Sequence, residues 1–230
     1  MENKKLNSNL LLGATTAAAA AMVNAASVII FFAYTSNITG HVVTLAVELA
    51  KGHWYQANIV FIWLLLFFGG SFVSQLLIRG LDKIGPFISH SAPIVLEIAA
   101  LLVISTYGHL YYNETLQETE ILIASLLFCM GLQNGMVATL SDNQVKTTHL
   151  TGLITDLGRE VASSFFERDR TQGLMNKLKL HVTILVFYLI GGLVGGVLFL
   201  SLDFIVFYLV VALLAFVLYV HLESLREKNP

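Results

Sequence analysis

Six long apolar runs constrain this chain more than any other feature. They cover about residues 10–34, 57–78, 88–110, 120–140, 180–200 and 204–219. Roughly 20 helical residues cross about 30 Å of hydrocarbon, and only the last run is slightly short. Charged residues form 12% of the chain, whereas a soluble domain has about a quarter. The sequence therefore predicts an all-α membrane protein, with six transmembrane helices in a single membrane domain over residues 1–230.

The first run could be mistaken for a signal peptide, because Lys4 and Lys5 precede it. Its apolar stretch exceeds the usual core of about 7–15 residues, and several further spans follow. We therefore predict that it is the first membrane helix. It is rich in alanine over residues 17–21, and small residues favour close helix contacts where lipid provides no hydrophobic drive. This helix is expected inside the bundle.

The basic residues predict an orientation. With six spans and both termini inside, 12 of the 13 Lys and Arg residues fall in inner segments, and only Lys51 is outside. Such a bias is typical of cytoplasmic loops. The prediction places both termini in the cytoplasm, together with Lys4, Lys83, Arg168 and Arg226, and it places Lys51 and Glu114 outside.

Two similar motifs, beginning at Thr35 and Thr147, lie 112 residues apart. Each reads threonine, three residues, threonine-glycine and then an apolar helical pattern. Three spans per half is an odd number, so the second half starts from the opposite side of the membrane. The sequence thus predicts two inverted three-helix repeats, over about residues 10–112 and 119–222. Inverted repeats are typical of secondary transporters.

Shorter matches follow the same order in both halves. Val23-Asn24-Ala25 in the first span corresponds to Gln133-Asn134-Gly135 in the fourth. Phe68-Gly69-Gly70 in the second span corresponds to Ile190-Gly191-Gly192 in the fifth. Each match is weak by itself, and their common order supports the repeat.

The same segments carry a family resemblance. Over roughly residues 10–222, the chain resembles the YoaK-like small multi-pass membrane proteins of bacteria. The resemblance lies in Val23-Asn24-Ala25, Thr35 to Thr44, Gly131 to Asn134 and Thr148 to Asp156. That family usually has Asn where this chain has His41, and often Asp where this chain has Asn24. It has no established activity, so the resemblance implies only a bacterial inner-membrane (cell membrane) protein.

Each threonine-glycine pair precedes about a dozen helical residues, which two interpretations fit. One is an amphipathic connector at the membrane interface, with Thr39 and Thr151 as ordinary N-caps. The other is a re-entrant half-helix of about 18 Å, which is tolerated only inside protein or against water. The sequence does not choose between them.

If both half-helices re-enter, their partly positive N-termini point inward at a shared polar site. Such a site suits a small polar or anionic solute, and the scarcity of basic side chains argues against a multiply charged anion. Interhelical hydrogen bonding is the alternative role of the two asparagines in the spans. The candidate solute-binding residues are Thr35, Asn37, Thr39, Gly40, Thr151 and Gly152, with Asn24 and Asn134 from spans one and four.

Glu97 lies near the middle of the third span. Intramembrane carboxylates are rare, and they are usually functional or paired. The functional interpretation is that protonation of Glu97 couples protons to solute movement. The structural alternative pairs its carboxyl with a polar group such as Gln75.

Enzyme motifs are missing: the sequence has no H-E-x-x-H, phosphate loop, G-x-S-x-G or C-x-x-C. No metal or cofactor is expected. Our first hypothesis is a small secondary transporter or channel for a small polar or anionic solute. The alternatives are a non-transporting membrane scaffold or partner subunit, and an intramembrane enzyme. The expected partners are the lipid bilayer and a small solute, without nucleic acid, and a homo-oligomer stays open.

Overall fold

The computed structural model describes residues 2–166 and 172–226, and it describes side chains over residues 5–166 and 172–223. Within these ranges the chain forms eight α-helices and one 3-10 turn, without β-strands. The 3-10 turn, Asp203–Ile205, joins the last two helices. The helices are α1 (Glu2–Phe31), α2 (Ile38–Lys51), α3 (Trp54–Leu81), α4 (Pro86–Tyr111), α5 (Leu116–Leu140), α6 (Leu150–Phe166), α7 (Gln172–Leu202) and α8 (Val206–Arg226).

Five helical segments are long and apolar enough to cross a membrane. They are Lys5–Phe31, Trp54–Leu81, Pro86–Tyr111, Leu116–Leu140 and Gln172–Glu223. The last has 52 residues and contains both α7 and α8, so the predicted fifth and sixth spans lie within it. The prediction of an all-α, multi-pass membrane protein is confirmed at this level.

Small residues bring α1 and α7 close together. A Cβ added at Gly191 would lie 2.4 Å from the Ala18 carbonyl oxygen, and one at Gly195 would lie 2.6 Å from the Met22 Cα. In the most apolar part of α1, 67% of the residues are buried, against 17% for α3. This burial agrees with the expectation that the alanine-rich first helix lies inside the bundle.

Glycines also bring α3 and α5 into backbone contact. A Cβ added at Gly70 would lie 2.1 Å from the Phe128 carbonyl oxygen, and one at Gly131 would lie 2.1 Å from that of Phe67. Backbones approach this closely only where side chains are missing. One turn further along α3, Gln75 Nε2 donates a hydrogen bond to the Gly135 carbonyl oxygen at 3.0 Å and another to Thr139 Oγ1.

The remaining long helices, α4 and α8, run antiparallel. Near one end, Thr106 Oγ1 lies 2.9 Å from the Tyr208 hydroxyl oxygen. Near the other end, the rings of His90 and His221 have centroids 5.4 Å apart. Glu97 lies between these two levels, about halfway along the pair.

The predicted orientation is only partly described. Arg168, Arg170 and Lys228 lie outside the described residues, and the side chains of Lys4 and Arg226 are not described. Lys5 Nζ lies 2.8 Å from Asp142 Oδ2, which joins the start of α1 to the loop after α5. The hydrogen bond and charge of Lys5 hold the pKa of Asp142 below its usual range.

Candidate functional site

The segment that follows α1 folds back along it. Ser27 Oγ donates to the Ala33 carbonyl oxygen at 2.8 Å, and the Thr35 N–H donates to Asn24 Oδ1 at 3.0 Å. Asn24 lies seven residues before the end of α1 at Phe31, or about 10 Å at 1.5 Å per residue. The chain therefore returns along the side of α1 before α2 begins, and the first turn of α2 lies within the length of the bundle.

Asn24 holds this returning segment through all of its polar atoms. Its Oδ1 accepts hydrogen bonds from the N–H and Oγ1 of Thr35, both at 3.0 Å. Its Nδ2 donates to Ser36 Oγ at 2.7 Å and to the Tyr188 hydroxyl oxygen at 3.0 Å. Only 4% of Asn24 is exposed, so water cannot readily replace these partners. Asn24 thus fastens the segment before α2 to α1 and α7.

The short helix α2 begins with an asparagine cap. Asn37 Oδ1 accepts a hydrogen bond from the Gly40 N–H at 3.1 Å, and α2 starts at Ile38. The N-cap role that the connector interpretation gave to Thr39 is therefore wrong, since Thr39 is already the second residue of the helix. A Cβ added at Gly40 would lie 2.6 Å from Asn37 Nδ2, so glycine leaves room for the capping side chain.

The segment that leads to α6 approaches from the other end of α1. Asn9 Nδ2 donates to Gln144 Oε1 at 2.8 Å, and Val145 lies beside Gly13. The loop after α5 therefore runs along the first turns of α1 from the side of its amino terminus. Thr148 Oγ1 then donates to Asn134 Oδ1 at 2.8 Å, six residues before the end of α5, or about 9 Å.

The start of α6 resembles that of α2, with histidine in place of asparagine. A Cβ added at Gly152 would lie 2.4 Å from His149 Nε2. Thr151 is the second residue of α6, so it too is not the N-cap that the sequence predicted. α6 has 17 residues, about 26 Å, and is longer than the predicted dozen.

The eight predicted binding residues thus fall into two groups, one at each half-helix. The described contacts join residues within each group, as between Asn24 and Thr35, and none of them joins the two groups directly. The two groups also differ in whether their buried polar atoms have hydrogen-bond partners. Asn134 Nδ2 and Thr147 Oγ1 are buried without a hydrogen-bond partner in the described structure, whereas both polar atoms of Asn24 have partners.

Glu97 is fully buried on α4. Across the described residues, neither of its carboxyl oxygens has a hydrogen-bond partner. The structural alternative, pairing with Gln75, is wrong, because Gln75 donates its hydrogen bonds to α5 instead. A buried polar group without a partner costs about 1–3 kcal/mol by mutational data, so the fold gains no evident stability from this carboxyl.

Sequence reasoning missed a cavity of about 430 Å³ between the start of α1, the loop after α5, α6 and α7. Glu160 and His181 lie in its wall, with Glu160 Oε2 3.0 Å from His181 Nδ1. The charged neighbours of Glu160 on α6, Asp156 and Arg159, are typical of a solvated helix face, yet only 3% of Glu160 is exposed. The available signal was the spacing of His149, Leu153, Asp156 and Glu160 on one face of α6.

Glu48, near the carboxyl end of α2, contrasts with Glu160 of α6. Glu48 lies 112 residues before Glu160, and its carboxylate contacts His53 Nδ1 at 2.7 Å and Lys51 Nζ at 3.2 Å. Hydrogen bonds from His53 and Lys51 lower the pKa of Glu48 below its usual range. Both Glu48 oxygens are therefore occupied, which makes Glu48 a matched comparison for Glu160.

Over the described ranges, no cluster of three His, Cys, Asp or Glu side chains could hold a metal ion.

Together these features define an all-helical, multi-pass membrane protein in which two short helices begin beside long ones. The chain belongs to the DUF1275 family, described as proteins of unknown function, whose family model matches residues 12–220. Comparison with curated proteins gave no match, and comparison with solved structures gave none. A family without an assigned function agrees with the resemblance found in the sequence, and the narrower YoaK-like name stays a prediction.

Replacing Asn24 by leucine is expected to destabilise the protein by about 2–3 kcal/mol, because the buried Thr35 N–H and hydroxyl lose their acceptor. Asn24→Asp should cost less, since a carboxylate still accepts from Thr35 and the hydroxyls of Ser36 and Tyr188 can turn to donate. Melting of both variants in detergent measures the difference. Equal melting of Asn24→Leu and wild type would show that Asn24 does not fasten the segment.

Proposed function

We propose that this chain is a small secondary transporter or channel of the bacterial inner membrane for a small polar or anionic solute. One observation carries the proposal: two half-helices begin within the length of the bundle and are reached from opposite ends of α1. Irregular backbone at membrane depth is tolerated inside protein or along a water-filled cavity. In many transporters, interrupted helices of this kind form the solute site.

Matching contacts in the two halves support an inverted repeat of three spans each. Gly191 of α7 meets Ala18 of α1, and Gly70 of α3 meets Phe128 of α5. Ala18 and Phe128 are 110 residues apart, as are Asn24 and Asn134. A two-fold axis in the membrane plane would exchange these contacts. This correspondence pairs Gly70 with Gly191. The sequence match between the two glycine dipeptides instead paired Gly70 with Gly192, one residue further along.

The half-helix starts are the proposed solute site. Each presents backbone N–H groups and a partly positive helix end, with hydroxyl and amide groups but no basic side chain among the candidates. This chemistry suits a neutral polar solute or a singly charged anion. The proposed binding residues remain Thr35, Asn37, Thr39, Gly40, Thr151, Gly152, Asn24 and Asn134.

Glu97 is the proposed proton-coupling residue. Its position about halfway along the α4–α8 pair and its lack of a partner support this role, since intramembrane carboxylates that form no pair commonly belong to proton or ion pathways. We further propose that both termini are cytoplasmic, in keeping with the distribution of basic residues, and that the chain is not an enzyme, because it has no catalytic motif.

The second candidate function is a non-transporting scaffold or partner subunit. The saturated hydrogen bonds of Asn24 favour it, because such bonds commonly serve to hold membrane helices together. The two candidates differ in whether water reaches the starts of the half-helices.

Cysteine accessibility tests orientation, inversion and water access together. In a Cys129→Ala background, Thr39→Cys should react with a membrane-impermeant thiol reagent from outside only, and Thr151→Cys from inside only. Reaction needs water, since the reagent does not enter lipid. Vesicles of known orientation, treated from one side at a time, provide the measurement.

The controls are Glu114→Cys, expected to react from outside, and Lys83→Cys, expected to react from inside. Reaction of Thr39→Cys and Thr151→Cys from the same side contradicts the inverted repeat. Failure of both to react from either side, while the controls react, contradicts a solute pathway and favours the scaffold. If the pathway is present, a melting-temperature screen of polar solutes and anions can then identify the substrate.

A further inference from the structure

We propose that the cavity between α1, α6 and α7 binds a free α-amino acid with an apolar side chain. The cavity borders the second half of the proposed solute site, because His149 lines the cavity and lies beside Gly152. The amino-acid proposal would hold whether or not the protein transports. The cavity, about 430 Å³, falls within the usual range of roughly 300–1,000 Å³ for small-molecule sites. Its wall extends from Lys5 to Ile184, and the Ile184 side chain lies beside Gly13, about three turns into α1.

Glu160 provides the first recognition element. One carboxylate oxygen, Oε2, lies 3.0 Å from His181 Nδ1. The other, Oε1, is buried and has no hydrogen-bond partner in the described parts of the chain, although the side chain lines the cavity. A buried acceptor without a donor is costly, and an ammonium group in the cavity would supply the donor and the opposite charge.

Lysines at the cavity provide the second element. Two of the four basic residues in the wall are already paired, Lys5 with Asp142 at 2.8 Å and Arg159 with Asp156 at 3.0 Å. The other two, Lys146 and Lys177, form no ion pair within the described residues. Their ammonium groups can neutralise a ligand carboxylate, because charge-assisted hydrogen bonds to carboxylates are among the stronger polar contacts.

The third element is an apolar wall. Leu153 and Leu180 are each 4% exposed, and Ile184 is fully buried, yet all three border the cavity. An aliphatic ligand side chain would pack against these three residues, and its transfer out of water would favour binding. An inorganic anion would leave Glu160 without a donor, and a simple amine would leave the lysines without an anion. The combination of ammonium, carboxylate and aliphatic groups therefore fits this cavity.

Titration calorimetry of the purified full chain with L-leucine tests the proposal. We expect saturable binding with a Kd below about 1 mM. L-Leucinamide, which lacks the carboxylate, and 4-methylpentanoate, which lacks the ammonium, should each bind at least about tenfold more weakly. Glu160→Gln should weaken leucine binding by about tenfold or more, whereas the matched variant Glu48→Gln on α2 should bind like the wild type.

A second variant tests the cavity itself if Glu160→Gln fails to fold. Gly173 lines the cavity, and a Cβ added there has no neighbour within 4 Å, so Gly173→Trp can fill the space without a backbone clash. We expect it to abolish leucine binding. Gly158→Trp is the control, because Gly158 is equally open but lies outside the cavity wall.

Three results would overturn the proposal. One is a wild-type protein that does not bind leucine. Another is leucinamide or 4-methylpentanoate binding as tightly as leucine, which would show that the charged groups are not recognised. The third is wild-type affinity in Gly173→Trp, which would place the binding elsewhere.

Discussion

Gly70→Ala and Gly191→Ala are each expected to destabilise the protein by about 1–3 kcal/mol, the usual effect of overpacking. Their immediate neighbours should behave differently. Gly69→Ala and Gly192→Ala should leave stability unchanged, or raise it by up to about 1 kcal/mol, because alanine is the better helix former. Four single-methyl changes in two glycine dipeptides thus separate helix contact from helix propensity.

The physical reason is the distance to the neighbouring backbone. A Cβ at Gly70 would lie 2.1 Å from the Phe128 carbonyl oxygen, and one at Gly191 would lie 2.4 Å from that of Ala18. Backbone atoms cannot rotate away as a side chain can, so the helices must separate and lose contact along their length. A Cβ at Gly69 would meet nothing within 4 Å, and one at Gly192 would come no closer than 3.8 Å to any atom.

Thermal melting in one detergent, together with reversible unfolding where it can be achieved, measures these differences. In the dipeptide Gly69-Gly70 the sensitive residue is Gly70, and in the dipeptide Gly191-Gly192 it is Gly191. A protein destabilised equally by Gly69→Ala and Gly70→Ala would contradict the packing of α3 on α5. The same outcome for Gly191→Ala and Gly192→Ala would contradict the packing of α1 on α7.

Sequence reasoning recovered the long helices because bilayer thickness fixes their length. The apolar run at about residues 57–78 became α3 (Trp54–Leu81), and the run at 120–140 became α5 (Leu116–Leu140). It could not identify which glycine of a dipeptide makes the contact. Successive helical residues point about 100° apart, so that choice depends on the rotation of each helix against a partner distant in sequence.

The two short helices α2 and α6 lie where the sequence predicted them, but their first residues differ from the prediction. Threonine and asparagine are both good N-caps. The repeated threonine-glycine pair indicated Thr39 and Thr151 as the caps, although Asn37 and His149 are the residues that directly precede the two helices. The contact that decides the start of α2 is between Asn37 Oδ1 and the Gly40 N–H. Whether the N-cap is Thr39 or lies two residues earlier at Asn37 depends on where the preceding segment is fastened, here at Asn24.

The cavity was missed for a different reason. Asp156, Arg159 and Glu160 together look like a solvated helix face, and two of them do form an exposed ion pair. Glu160 is buried because α7 packs against its side of α6 and brings His181 to its carboxylate. A local charge pattern does not reveal that contact, since the two residues come from different helices and the pairing depends on how those helices pack.

Glu97→Met is expected to stabilise the protein by about 1–3 kcal/mol, which is the cost of burying a polar group without a hydrogen bond. Methionine has nearly the same shape as glutamate and removes both unpaired oxygens. Ser105→Ala is the control on the same helix. Ser105 Oγ donates to the Phe204 carbonyl oxygen at 2.8 Å and is fully buried, so its removal should lower stability by about 1 kcal/mol.

The sign of the change distinguishes the two roles of Glu97. A carboxyl that holds helices together loses a partner when it is replaced, and the variant melts at a lower temperature. A carboxyl that serves function at the expense of stability behaves in the opposite way: replacing it raises the stability of the protein, as is common for residues of functional sites. A lower melting temperature for Glu97→Met would therefore return Glu97 to a structural role, without any knowledge of the substrate.

Flux then tests whether that function is proton coupling. Once a solute is identified, Glu97→Gln in proteoliposomes should abolish the pH dependence of its transport, because the amide keeps the shape of the side chain but cannot exchange a proton. A stable Glu97→Gln protein with unchanged pH dependence would exclude Glu97 from coupling. Stabilisation by Glu97→Met together with loss of pH dependence in Glu97→Gln would support a role in proton movement for this carboxyl midway along α4.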